Sequence, residues 1–372
     1  MHILVNQYFY MNGAGMKRAV KHPDPTITND SYISDLVEKG LSREDAVIIA
    51  SKTAKPMGGA SLDVNEKADD VNGKPEGHAK RTGQKKKRVI IDAAVDITEN
   101  PIQSYDTGDM AFGAKCLVAA ALPYRNPKPE HLQNGAWVRQ NGNYTLWIQG
   151  GPDGVPYGAY PRVFVIWLTT EAVRTQSRRI ETGGTFREFC RKVHIDTSMG
   201  TRGSGRRFIE QASKLLSSRA AFVTGSFDER RIRTEFLQFS EDFEFFFDVS
   251  NPRQASVFES EIILTEKFFN EITTHSIPLD FRAVAALKQS PLELDIYQWL
   301  AYRMHSIKGR AMPTWQQLHT QFGANHKELR FFKRDFLKSL HSVKQVYQGV
   351  RVDPTENGLI LLPSLTPVPK KD

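Results

Sequence analysis

Asn325-HKELRFFKRDFLKS-Leu340 decides how this chain is read. Wound at about 100° per residue, Leu329, Phe332, Phe336, Leu340 and Val343 fall on one line, and Lys327, Arg330, Arg334 and Lys338 fall almost diametrically opposite. A single basic helix is ordinarily no more than a solvated face. This one follows a short helix, Thr314-WQQLHTQFG, whose Thr314 and Gln317 have capping-box spacing. It precedes Val350-RVDPTENGLILL, two strand-like runs around Asn357-Gly358. Helix, helix and hairpin in that order make a winged helix-turn-helix. Four cations facing water from its second helix are what a phosphate-lined groove selects for.

The same order occurs earlier in the chain. Gly150-GPDGVPYGAYPR reads as a loop feeding a long helix, Val163-FVIWLTTEAVRTQSR. Thr185 and Glu188 then open a capped helix with apolar Phe186, Phe189 and Val193. Gly205-RRFIEQASKLLSSR is a further helix, with Phe208, Ala212, Leu215 and Leu216 inward and Arg206, Glu210, Ser213, Lys214 and Ser217 outward. Ala220-AFVTGSF and Arg230-RIRTEFLQF read as the strands of a wing. Ahead of these, Cys116-LVAAALP reads as a strand, and Trp137-VRQ-NG-NYTLWI as a hairpin turning at Asn141-Gly142. In the second half Ser290-PLE opens a helix through Ile296, Trp299 and Leu300, so that Trp299-Leu300 mirrors Trp167-Leu168. The expected fold is therefore helix-rich α+β, with two tandem winged-helix domains over 89–250 and 251–372. A basic, disordered tail over 1–88 is expected ahead of them. It carries a short helical island at 32–52 and ends in Lys80-RTGQKKKR-Val89, a solvated linker with six cations.

Charge supports two separate basic modules. The net charge is +8, but it is unevenly placed. Arg174 to Arg233 holds 14 Lys/Arg against 6 Asp/Glu, Thr234 to Tyr302 holds 4 against 12, and Arg303 to Arg351 holds 10 against 2. Two blocks of +8 thus flank a spacer of −8, and basic surfaces favour nucleic acid as partner. Two cysteines, Cys116 and Cys190, exclude a disulfide framework and fit a reducing cytoplasm. No apolar run reaches the length of a membrane span, so no membrane partner is expected. The opening MHILVNQYFYM makes a poor signal peptide, and Met11 or Met16 would serve equally as a start.

No catalytic constellation stands out. There is no Walker A motif, and Gly200-TRGSG follows a loop rather than a strand, with spacing wrong for a dinucleotide. The ten histidines show no metal-ligand spacing, so neither metal nor cofactor is expected. His194 and His319 are read as packing or surface residues and Cys190 as a small core residue. For DNA contact the first module offers Arg206, Arg207, Gln211 and Lys214, because arginine grips guanine through two acceptors and glutamine pairs with adenine. The second offers Asn325 and His326 at the helix start, the line Lys327, Arg330, Arg334 and Lys338, Lys333 to the side, and Arg351 on the wing. Glu241-DFEFFF-Asp248 is read as filling the local core, with a role in pairing two copies as the alternative.

Leu122-Pro123, Asn141-Gly142 with Leu146, Gly154-VPYG-AYPR, Trp167-LTTEAVRTQSR, Gly184 and Phe189 together resemble the plasmid-encoded RepA replication initiators. The likeness runs over about 110–225 and is most specific at PYG-x-x-PR and TEAVRT. Thr201-Arg202-Gly203 stands where the family has a Gly-Gly pair. The resemblance implies a non-catalytic, theta-type initiator. Such a protein binds repeated double-stranded sites in a plasmid origin and recruits host replication proteins, such as the host initiator or helicase. Some members also act as dimers that repress their own promoters. Two other readings stand beside it: a transcriptional autorepressor without initiation activity, and a rolling-circle nickase. The nickase needs a metal-binding His pair and a Tyr nucleophile, and that pair is not found.

Overall fold

The computed structural model describes residues 76–103, 108–119, 121–183, 185–195, 198, 203–226, 231–245, 260–323 and 326–369, besides residues 33, 34, 37 and 43. The island expected at 32–52 lies outside these residues except at 33, 34, 37 and 43. The expected linker is instead helical: α1 spans Glu76–Glu99. Its register explains why. Ile90 is buried in the core of the C-terminal part of the chain, with Ala93 and Ile97 against it. The basic run simply continues this helix outward, and its Lys86 reaches Glu293 at 2.7 Å.

After α1 come β1 (Met110–Ala114) and a single helical turn, α2 (Lys115–Val118). The strand expected from Cys116 is therefore displaced toward the N-terminus. Residues 110–114 are the ones with an edge to pair with, β9 (Ser276–Asp280), while Cys116 and Val118 sit in the turn that follows. The hairpin expected next is present as β2 (Ala136–Asn141) and β3 (Tyr144–Gln149). Its two-residue loop is Gly142-Asn143, one position later than expected, and Gly142 takes φ +59 where a side chain would be strained.

The long helix α3 (Ala159–Thr175) is buried continuously from Pro161 to Thr170. A helix apolar on all sides belongs inside, and α3 serves two cores at once. Val163 and Ile166 join the C-terminal core, whereas Phe164, Val165, Trp167 and Leu168 join the N-terminal one. Strand β4 (Arg179–Glu181), helices α4 (Phe186–Lys192) and α5 (Ser204–Leu216), and strands β5 (Arg219–Ser226) and β6 (Arg231–Gln238) follow. The strands expected to form a wing add to the earlier hairpin, giving a four-stranded antiparallel sheet in the order β2-β3-β5-β6. Strands β7 (Ser240–Glu244) and β8 (Glu261–Leu264) form a second sheet with β4, and helix α6 (Glu266–Thr274) closes this unit. Phe243 and Phe245 pack against its core, as the core-filling reading of that stretch anticipates.

The second unit runs through β9, α7 (Phe281–Leu287), α8 (Pro291–Ser306), α9 (Trp315–Phe322), α10 (Leu329–Val346) and the wing strands β10 (Arg351–Pro354) and β11 (Leu359–Leu362). The protein is thus a helix-rich α+β chain with two winged-helix units in tandem. The cores, however, do not divide at residue 250. Ile262, Leu264, Phe268 and Ile272 pack in the N-terminal core, while Ile90, Ala111 and Val118 pack in the C-terminal one.

Caps form where the sequence places them. Thr185 Oγ1 accepts from the Glu188 amide at 3.0 Å and Ser290 Oγ from the Glu293 amide at 3.4 Å. Thr314 and Gln317 make the full reciprocal box. Gly323 closes α9 for want of space rather than by a left-handed turn, since an added Cβ would lie 2.3 Å from the His319 ring. The wing turn is fitted as closely. The Trp315 amide donates to Asn357 O at 3.0 Å, and a Cβ on Gly358 would fall 2.1 Å from Pro313 O. Gly358→Ala is accordingly expected to destabilise the full chain by about 1–3 kcal/mol, the usual range for overpacking. Thermal unfolding measures this, and an unchanged Tm would show that the wing is not held against α9.

Candidate nucleic-acid interface

The second unit builds its outward surface on α10. Phe332, Phe336, Leu340 and Val343 are fully or almost fully buried beneath it, with Phe332 edge-on to His319 at 5.2 Å and Phe336 edge-on to Trp315 at 5.9 Å. Leu329, expected at the head of this apolar line, is 39% exposed. The helix begins only there, so Leu329 has no preceding turn to bury it.

Opposite the buried line, Lys327, Arg330, Arg334 and Lys338 are all exposed. Arg330 pairs with Glu328 at 2.8 Å and Arg334 with Asp335 at 2.8 Å. Exposed pairs of this kind are weak and exchange readily for a phosphate. Arg334, and after it His326, hold the Asp335 carboxyl below the usual carboxylate range, so it stays charged within the basic line. Asp335→Asn is expected to raise affinity for random-sequence duplex DNA about fivefold, by removing a like-charge repulsion against phosphate and releasing Arg334. Filter binding at fixed salt tests this, and unchanged affinity would place Asp335 away from the bound duplex.

His326 does not face outward. It is half-buried, its Nε2 lies 3.0 Å from Asp335 Oδ2, and its carbonyl oxygen is 2.8 Å from His319 Nε2. It therefore stitches the turn between α9 and α10 and is not placed for a base edge. Asn325 lies outside the described residues. Lys333 is also a strut: its amine lies over the Trp315 ring at 5.1 Å and donates to Glu356 O in the wing at 3.3 Å. Arg351 is exposed on β10, at the wing's first strand.

In the first unit, α4 and α5 form the corresponding pair of helices. Arg206 and Arg207 are exposed on the first turns of α5, and Arg207 rests over the Tyr160 ring at 5.8 Å. Two of the four residues expected to contact DNA from this unit, Gln211 and Lys214, turn inward. Gln211 is buried and its Oε1 accepts from the Tyr157 amide at 2.8 Å, which holds the loop ahead of α3. Lys214 is also buried; its amine pairs with Glu210 at 2.8 Å and lies over the Tyr157 ring at 5.2 Å. The helical winding misplaces them because the loop 155–158 folds back over that side of α5.

Residues other than the expected DNA contacts hold the two basic surfaces in one arrangement. Arg162, in the PYG-x-x-PR run, is buried and bidentate to Asp295 of α8, at 2.7 and 2.8 Å. Its remaining donors reach Leu122 O at 2.7 Å and Gly158 O at 2.6 Å. Arg139 of β2 donates to His319 O at 2.7 Å and Gln321 O at 3.4 Å, at the carbonyl end of α9. Gln321 returns a bond to Val118 O at 3.1 Å. In the TEAVRT run, Thr170 Oγ1 accepts from the Phe112 amide at 2.9 Å and Arg174 donates to Met110 O at 2.7 Å. An arginine set directly against the apolar run 163–168 is the sequence signal for the first of these contacts.

Residues 155–317 match the family model of the plasmid encoded RepA protein. That span is similar to the family. It starts later than the resemblance read from sequence and runs further, taking in α3, α5, Arg162 and Asp295 and ending within α9. The matched span therefore holds both partners of the buried ion pair but stops short of α10. Two solved structures of RctB are also similar. One is of SeMet derivatives of its domains 2 and 3, and the other of the same domains over its residues 155–483. Each has 13% identity; the TM-scores are 0.43 and 0.41, covering 66% of this chain and 95% and 93% of theirs. No curated protein matches the chain. Among the described residues no group of His, Cys, Asp and Glu is arranged to hold a metal ion, and no helix is long and apolar enough to cross a membrane.

Proposed function

We propose that this chain is a plasmid replication initiator. It binds repeated double-stranded sites in its origin, recruits host replication proteins and catalyses no reaction itself. The observation that carries the reading is the line of exposed cations on α10, set beside a wing and directly opposite a fully buried apolar line. The matched span supports the assignment to plasmid replication. In this reading the chain acts in the cytoplasm through two DNA-facing modules, one within 89–250 and one within 251–372, each with its own second helix. Arg206 and Arg207 serve the first; Lys327, Arg330, Arg334, Lys338 and Arg351 serve the second.

Pairing of two copies belongs to the same proposal. Val138, Trp147, Ala221 and Phe236 lie in one row across the four-stranded sheet, and Phe236 is 73% exposed. A chain that sediments as a monomer at every concentration would remove this element.

The test of the whole reading is a footprint on DNA flanking the chain's own gene, titrated with salt. Protection repeating over direct repeats of about 20 bp is expected, as two major-groove contacts about one turn apart require. Affinity should fall steeply as salt rises. One protected inverted repeat at the promoter would make the chain a repressor, and no protection would end the reading.

A further inference from the structure

Phe331 stands in the middle of the basic line and is not used by the packing of α10. It is 40% exposed, whereas Phe332 and Phe336 are fully buried. Phe331, Arg334 and Lys338 of α10 are spaced three and four residues apart, so the ring shares the helical stripe of these two cations, with Lys327 exposed just ahead of the helix. The Arg330 guanidinium lies 4.6 Å from the ring centroid and that of Arg334 5.5 Å. The surface offered to a groove is thus a ring between two guanidiniums, not a row of charges alone.

That combination matches a particular chemistry of the major groove. Guanine presents two acceptors that suit arginine, while thymine is distinguished by an apolar C5 methyl group that a side chain such as phenylalanine contacts. We propose that Phe331 is a specificity-determining residue that meets a thymine methyl in the major groove, with Arg330 and Arg334 engaging the bases or phosphates on either side. The proposal rests on the DNA-binding reading of α10. The rival role is a platform that merely orients the two guanidiniums, and the test separates the two.

The full chain is used to select its tightest duplex from a random library of about 30 bp, long enough for two half-sites. Each thymine of that duplex is then replaced singly by uracil, which lacks the methyl. Wild type should lose about fourfold in affinity at one or two positions, the value of one buried methyl group. Phe331→Ala should bind the thymine duplex more weakly and be indifferent to uracil at those positions. Phe331→Leu, still apolar, should keep part of the discrimination. Wild type indifferent at every thymine overturns the proposal. So does a Phe331→Ala chain that is weaker throughout but keeps the same thymine-to-uracil ratio, because the ring then only positions the arginines. If no duplex is selected, the DNA-binding reading fails first and this proposal fails with it.

Discussion

Lys327, Arg330, Arg334 and Lys338 replaced together by alanine are expected to lower affinity for the footprinted duplex about a thousandfold, at roughly tenfold or somewhat less per lost contact. The salt dependence is the sharper readout. Each phosphate neutralised contributes about 0.9 to the slope of log affinity against log salt. If all four cations meet phosphate, the slope should become shallower by about 3–4. An unchanged slope with weakened binding would mean that they read base edges instead. All four side chains are exposed, so the variant should fold, and its unfolding midpoint should match the wild type. Affinity and slope both unchanged would remove α10 from the DNA surface. The same replacement at Arg206 and Arg207 should weaken the other half of the footprint selectively, because those residues stand on α5 in the other unit.

The second large effect is expected at the joint between the units. Arg162→Ala leaves the Asp295 carboxyl without its bidentate partner in an almost fully buried site. Breaking such a pair from one side costs about 3–5 kcal/mol. For a unit of this size that lowers Tm by on the order of 10 °C. Replacing both residues by apolar ones, Arg162→Met with Asp295→Leu, should recover most of that loss. Burial raises the Asp295 carboxyl above its ordinary value even against the guanidinium. The pair is therefore a poor source of stability, and its value lies in geometry. The double variant should keep its Tm but tolerate a wider range of spacings between half-sites. A double variant with wild-type spacing preference would show that α3 and α8 are set by packing alone.

Much of this arrangement is legible in the sequence. The capped helices, the tight hairpin and the apolar stripe of α5 follow local rules, and each forms within a residue or two of where those rules put it, whereas α10 begins at Leu329, four residues after the expected start at Asn325. The errors arise where distant parts of the chain meet. Gln211 and Lys214 read as DNA contacts on α5, but a helical wheel cannot show the loop 155–158 that covers them. His326 looks like a base contact until Asp335, nine residues away, turns it inward. Lys80–Val89 has the composition of a linker, yet α1 is anchored by Ile90 against a surface nearly 200 residues later in the chain. Phe331 winds onto the stripe of the cations while Phe332 winds onto the apolar line, and their burial differs in the same sense.

The pairing of β1 with β9 also bears on how the chain is made. Met110–Ala114 must find Ser276–Asp280, and Ile90 must find the core built by α7, α8 and α10. During synthesis these early segments leave the ribosome first, and their partners follow some 170 residues later. At typical translation speeds that is a delay of about 10–30 s. Throughout it, one apolar edge and one apolar helix face stand without their eventual cover. The N-terminal winged unit completes itself in the meantime, because its core needs nothing beyond α6. The last part of the chain to be translated therefore closes a structure that α1 opened.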